Sequence, residues 1–248
     1  MTLKKALIDS EPMICVPIAA DSFEAFETAF NEAMTYQPDV VEWRADYILH
    51  THMNPQQHQA LRRSVFEVFS RAYDGVNPFV IVTLRDPQEG GKNHIDDALK
   101  IEWIQEALVE PWLDAVDLEM QADEQVLNAV IELCQIHEKK LILSHHDFEK
   151  MPELEMIVSR VAQAFLMGAD IVKVAYMAVH PWDLQILKRA MEILYERNIG
   201  PMIAVAMGAL GVETRLNPEK YHSVLTYAAV GEKTAPGQVH MDQIKANQ

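Results

Sequence analysis

Eight short apolar runs alternate with amphipathic stretches along this chain, and that alternation constrains its fold more than any other feature. The runs cover residues 14–19, 40–44, 79–84, 115–118, 141–144, 171–175, 202–206 and 223–228. Between them, residues 23–34, 56–69, 96–108, 124–137, 154–167 and 184–197 repeat apolar residues at the i, i+3, i+4 spacing of a helix packed by one face. Strands separated by helices call for a parallel sheet with helical crossovers. At 248 residues, the chain has the size of one (β/α)8 TIM barrel. A doubly wound open sheet competes with it, but no Gly-x-Gly-x-x-Gly turn follows the first strand. The expectation is therefore an α/β protein with one catalytic barrel domain spanning 1–248. The segment before Ile14 is expected to form a hairpin that closes the barrel bottom.

Composition narrows the partners. A formal net charge of −16 repels phosphate backbones, which argues against nucleic acid. No stretch approaches the roughly 20 apolar residues of a membrane helix. The first ten residues lack the apolar core of a signal peptide, so the cytoplasm is the expected location. Cys15 and Cys134 lie far apart in apolar runs and read as core packing, not as a disulfide or metal site.

Chemistry is announced by charges that alternate with apolar residues inside the strands. Strand side chains point to opposite faces in turn, and the apolar face of a barrel strand must meet the helices. In Val41-Glu42-Trp43-Arg44-Ala45-Asp46 the charged face is then the lumen. Parity likewise groups Thr83 with Arg85, Asp117 with Glu119, and Ser144 with His146. It sets Lys173 between the outward Val172 and Val174. Charges near the C-terminal ends of barrel strands mark the active face of this fold. A structural Glu42–Arg44 ion pair stays open, and Asp117 and Glu119 read as lumen salt-bridge partners or caps. His145 reads as a hydrogen-bonded core residue, although parity alone does not decide which of His145 and His146 faces inward.

A lysine buried between β-branched residues suits a nucleophile. Desolvation and a neighbouring cation such as Arg85 would disfavour its ammonium form, and the free amine condenses with a ketone to an iminium. A nearby imidazole can then move protons, while mouth arginines pair with a substrate carboxylate. Three other readings compete. A class I lysine aldolase or other lyase on the same barrel would want a glycine-rich phosphate cup, for which 207–211 and Pro236-Gly237 are the candidates. A metal lyase would use His145, His146, Asp147, Asp117 and Glu119, but adjacent strand histidines diverge. A non-catalytic barrel would leave the lysine, histidine and glutamate set without a purpose.

With these residues assembled, nearly the whole chain resembles type I 3-dehydroquinate dehydratase. The matching motifs are Glu42-Trp43-Arg44-Ala45-Asp46, Thr83-Leu84-Arg85 with Glu89-Gly90-Gly91, and Ser144-His145-His146-Asp147-Phe148. They continue through Ile171-Val172-Lys173-Val174-Ala175, Met207-Gly208 to Thr214-Arg215, and Ala235-Pro236-Gly237-Gln238. The resemblance implies a hydro-lyase converting 3-dehydroquinate to 3-dehydroshikimate in the shikimate pathway of aromatic amino-acid biosynthesis. It implies Lys173 as the Schiff base, His146 as general acid and base, and Glu89 as the group orienting His146. Arg215 would bind the carboxylate, with Glu42, Arg44, Arg85, Thr234 and Gln238 completing the substrate contacts. It implies no metal or organic cofactor, and a homodimer. Thr234 stands where serine is commoner and Tyr227 where phenylalanine is usual. Met151 takes the place of a threonine that would cap the next helix, with Pro152 in its first turn. Residues 89–91 and 234–238 read as lids.

Overall fold

A computed structural model describes residues 3, 11–50, 52–73, 78–231 and 233–247. Eight strands follow one another: β1 (Met13–Ile18), β2 (Val40–Arg44), β3 (Phe79–Thr83), β4 (Ala115–Glu119), β5 (Lys140–Asp147), β6 (Ile171–Met177), β7 (Met202–Met207) and β8 (Leu225–Ala229). All neighbouring pairs are parallel, in the order β7-β6-β5-β4-β3-β2-β1-β8, and a two-residue β9 (Val239–His240) extends β8. Among the described residues, β7 meets the β8 segment through the bridge Met202–Ser223, with the Val224 N–H donating to the Met202 carbonyl at 2.9 Å. That seam closes the (β/α)8 barrel the alternation predicts.

The helices are α1 (Phe23–Thr35), α2 (Pro55–Ala72), α3 (Asp97–Leu108), α4 (Glu124–Ile136), α5 (Leu154–Met167), α6 (Asp183–Glu196), and the short α7 (Val212–Leu216) and α8 (Met241–Lys245). Their starts are written locally. Ser22, Asp96 and Asp123 accept first-turn N–H groups, and Asn54 with Gln57 forms a capping box ahead of Pro55. α5 starts differently from the expectation. Its N-cap is Glu153, which makes no side-chain cap bond, so Met151 lies upstream of the cap and Pro152 outside the first turn.

Strand parity sorts the core into two layers. Outward Val41, Trp43, Val172 and Val174 pack beneath the helices, and Trp43 meets Phe26, Phe69 and Trp103 with centroids 5.9, 6.2 and 6.0 Å away. Inward Cys15, Val40, Phe79, Ile81, Ile142 and Ile171 fill the lower lumen together with Leu3. The expected N-terminal hairpin falls largely outside the described residues. At the bottom rim, Asp39, Asp114 and Asp170 each precede a strand and accept the N–H of Ile14, Val80 and Leu141 at 2.9, 2.9 and 3.2 Å. Each carboxylate satisfies a donor at the start of the neighbouring strand.

Two differences from the sequence pattern bear on function. β5 runs three residues past its apolar stretch, because His145, His146 and Asp147 continue the ladder against Val174, Ala175 and Tyr176. The short elements α7, α8 and β9 carry too few residues to show a period. Among the described residues, no helix is long and apolar enough to cross a membrane.

Candidate active site

Above the apolar floor the lumen turns polar. Lys173, on β6, is only 5% exposed. Its Nζ lies 2.9 Å from Asp117 Oδ2 on β4 and 3.5 Å from Glu42 Oε1 on β2. The face of Tyr227, on β8, lies 4.4 Å from the same nitrogen. Carboxylates, not cations, are thus the immediate neighbours of the lysine. Arg85 was expected to repel its ammonium, but that guanidinium is committed to Asp117 at 2.8 Å and Glu119 at 2.9 Å. Arg85 also donates to Ser144 Oγ at 2.6 Å, and Ser144 donates to Asp117 at 2.6 Å.

Burial alone would raise the Asp117 carboxyl. Arg85, Lys173, His146 and the Ser144 hydrogen bond outweigh burial and hold it well below the usual carboxylate range. Asp117 is therefore a fixed anion that keeps Lys173 oriented. Sequence reading treated it as a lumen ion-pair partner, which it is, but missed its contact with the lysine. Parity placed both residues in the lumen, and only the stagger of the strands brings them to one height.

His146 faces the lumen at the end of β5, whereas His145 points outward and packs against Tyr176 with centroids 5.7 Å apart. Burial lowers the His145 imidazole to about 4. Desolvation, then Arg85 and Lys173, push His146 well below 6.5, so its ring is neutral near pH 7. Glu89, in the turn after β3, holds it twice. Glu89 Oε2 accepts the His146 backbone N–H at 2.9 Å and sits 3.0 Å from Nδ1. A carboxylate there makes Nδ1 the proton-bearing nitrogen and leaves Nε2 as the base. Burial, eased by Arg85 and reinforced by Glu119, raises Glu89 itself to about 7.

Asp46 organises the rim. It receives Nε and Nη2 of Arg44 at 2.8 Å each, and also the backbone N–H groups of Arg85 and Lys92 at 3.3 and 3.0 Å. The predicted alternative pairing of Arg44 with Glu42 is not among its bonds; Arg44 reaches instead to the Gly90 carbonyl at 3.2 Å. Glu42 accepts from Thr83 at 2.7 Å.

On the opposite wall Arg215 is 2% exposed and no carboxylate pairs with it among the described residues. Its Nη2 donates to Pro236 O at 3.3 Å, its Nε has no partner there, and desolvation lowers it to about 10. A buried guanidinium with no counter-ion is costly unless an anion joins it. Gln238 accepts from the Thr234 N–H and hydroxyl at 2.7 and 3.2 Å and donates to Ala228 O at 3.2 Å, so its amide pins the loop.

All nine residues singled out from sequence, namely Glu42, Arg44, Arg85, Glu89, His146, Lys173, Arg215, Thr234 and Gln238, line one pocket. The glycines that resembled a phosphate cup serve packing. A Cβ on Gly237 (φ +77°) would sit 2.3 Å from the Gly208 carbonyl, and the Gly208 and Gly211 N–H groups bond to Pro236 and Gly208 carbonyls at 3.3 and 3.1 Å. Those amides are not free to cradle phosphate. His145 and His146 diverge, and no group of three or more His, Cys, Asp or Glu with metal-holding geometry occurs among the described residues.

Fold and site together define a (β/α)8-barrel enzyme with a buried lysine and a carboxylate-held histidine at the C-terminal ends of its strands. The family model for type I 3-dehydroquinase matches residues 14–247, and the chain belongs to that family of hydro-lyases. A 3-dehydroquinate dehydratase of Alkaliphilus oremlandii (strain OhILAs) is 34% identical over 235 residues, covering 94% of this chain and 89% of the relative. The 3-dehydroquinate dehydratase structure from Geobacillus kaustophilus HTA426 superposes with TM-score 0.85 at 28% identity, covering 96% of this chain and 90% of that one. The type I enzyme of Clostridium difficile, solved with covalently modified comenic acid, gives TM-score 0.84 at 28% identity over 96% and 91% of the two chains.

Proposed function

We propose that this protein dehydrates 3-dehydroquinate to 3-dehydroshikimate through an imine on Lys173. The observation that carries the reading is that Lys173 and the His146–Glu89 pair line the same pocket as a buried arginine with an open Nε. Arg215 would receive the substrate carboxylate, which supplies the missing counter-charge and directs the ketone towards Lys173.

Once deprotonated, Nζ attacks the ketone carbon, and the carbinolamine expels water with a proton supplied by His146. The nitrogen becomes a cationic iminium, with Asp117 and Glu42 beside it to balance the charge. Electron withdrawal into the iminium acidifies the neighbouring C–H, and His146 Nε2 removes that proton. The resulting enamine pushes out the β-hydroxyl, which takes the proton back from His146 and leaves as water. A second water then hydrolyses the conjugated iminium and frees Lys173. Glu89 stabilises the imidazolium formed between these transfers. Glu42, Arg44, Arg85, Thr234 and Gln238 would line the substrate; Arg44, Arg85 and Gln238 do so while already bonded to protein.

The relatives support one catalytic domain over 1–248 that works as a cytoplasmic homodimer. Sedimentation of a monomer at working concentration would remove the dimer. Borohydride added with 3-dehydroquinate should reduce the imine and leave its mass on the Lys173 peptide. An unmodified Lys173 under turnover conditions would refute the mechanism.

A further inference from the structure

Tyr227 is the one wall residue of the pocket that combines contact with the nucleophile and an unused hydrogen-bonding group. It sits on β8 at the level of Cys15 on β1, with its side chain in the lumen. The residue is 6% exposed, and its hydroxyl oxygen is sealed from solvent without a hydrogen-bond partner among the described residues. Removing a hydroxyl from water without replacing its hydrogen bonds costs folding free energy, and buried tyrosines ordinarily satisfy theirs. An apolar ring of the same shape would fill this space without that cost. The hydroxyl is thus left as an open donor inside the substrate pocket.

Its chemistry there is restricted to donation. Burial, reinforced by Glu42, Cys15 and Asp117, raises the phenol well above its ordinary value of 10, so it stays protonated. Arg215 faces the same cavity with an unpartnered Nε, and Tyr227 is the ionisable group whose proximity opposes the loss of its charge. Two unfilled donors in one pocket both await oxygen acceptors. The ring has a second use, because its face is already within cation–π distance of Lys173 Nζ at 4.4 Å. That nitrogen keeps a positive charge as an iminium, and a π face stabilises it without accepting its proton.

We propose that Tyr227 is a further substrate-contacting residue, its hydroxyl donating to an oxygen of the bound keto acid while its ring face supports the cationic nitrogen of Lys173. The inference rests on the imine reading above and assigns a specificity determinant within it. The hydroxyl lowers ligand-free stability and is compensated when substrate supplies the acceptor.

Two variants separate the two parts. Tyr227→Phe removes the hydroxyl alone. It should raise the midpoint of urea unfolding of the ligand-free enzyme and raise KM about three- to tenfold, the worth of one neutral hydrogen bond, with kcat little changed. Tyr227→Leu also removes the π face, and should in addition lower kcat and slow borohydride trapping at Lys173. A Tyr227→Phe enzyme with unaltered KM would overturn the hydroxyl contact whatever its stability. A Tyr227→Leu enzyme with the kcat and trapping rate of Tyr227→Phe would overturn the role of the ring. If Leu does not fold, Tyr227→Met tests the ring in its place. Trapping in the unaltered protein is the control: no adduct there defeats the imine reading, whereas a normal adduct with unchanged Tyr227→Phe kinetics defeats this inference alone.

Discussion

Replacing Glu89 with glutamine separates what that carboxylate does for the fold from what it does for the reaction. Glu89 is 7% exposed, with one oxygen holding His146 and the other, Oε1, unpartnered among the described residues. Burial raises its pKa from the ordinary 4.5 to about 7, with Arg85 pulling down and Glu119 pushing up. Because the folded-state value is the higher one, the folded protein holds this proton more tightly than the unfolded chain. The resulting stability is complete below about 4.5 and is lost as pH rises through about 7. At about 1.4 kcal/mol per pH unit, the interval from 4.5 to about 7 makes ionised Glu89 cost the fold about 3 kcal/mol. Glutamine imitates the neutral acid, keeps an acceptor for the His146 N–H groups and does not titrate. Urea unfolding of the two proteins between pH 5 and pH 8.5 should therefore show Glu89→Gln gaining on the unaltered protein as pH rises, by about 3 kcal/mol across the range less the strength of the lost ionic hydrogen bonds. The same change should lower kcat on the order of 10–100-fold, since His146 loses the anion that steadies its imidazolium. Below about pH 7 the unaltered enzyme should slow for the same reason, as Glu89 takes up its proton. A stability difference that is flat with pH would refute the assignment of a raised Glu89 carboxyl.

Other outcomes follow from the remaining geometry. Asp117→Asn leaves Lys173 with Glu42 at 3.5 Å and strips the nearer carboxylate from Arg85; calorimetry should register a loss of about 3–5 kcal/mol, together with slower imine trapping. Arg215→Met removes a buried cation that has no counter-ion, so unfolding free energy should hold or rise while KM increases on the order of tenfold to a hundredfold in steady-state assays. Gly237→Ala places a methyl against the Gly208 carbonyl and demands a positive φ from alanine; a thermal melt should show at least about 1–3 kcal/mol lost, and an unchanged melt would mean the two loops are not packed as described.

Strand faces were legible because a barrel strand is covered on both sides. Apolar residues at alternate positions of β2, β4 and β6 had to meet helices, which left Glu42, Asp117 and Lys173 only the lumen. What the pattern could not carry was distance across the barrel. Asp117 and Lys173 are 56 residues apart, and their 2.9 Å contact depends on stagger across two strand junctions. The same blindness assigned Arg85 a repulsive role beside Lys173, when its charge is spent on Asp117 and Glu119. Asp46 was seen as a lumen charge, but its hold on two backbone N–H groups was not, since a turn after β3 has no period to read. The misplaced cap of α5 has a plainer origin: Pro152 suits either a first turn or the residue before a cap, and the chain uses the latter.

The barrel seam between β7 and β8 also orders events during synthesis. Glu42, Glu89, Asp117, His146 and Lys173 have all left the ribosome before β7 is made, whereas Arg215, Tyr227, Thr234 and Gln238 come from the last stretch, beyond that seam. A nascent chain can thus hold its nucleophile and its acid–base pair while the wall that recognises the carboxylate does not yet exist. The reactive amine stays indifferent to passing keto acids until β8 docks on β1, and closure of the barrel is at once the last folding step and the moment the enzyme acquires selectivity.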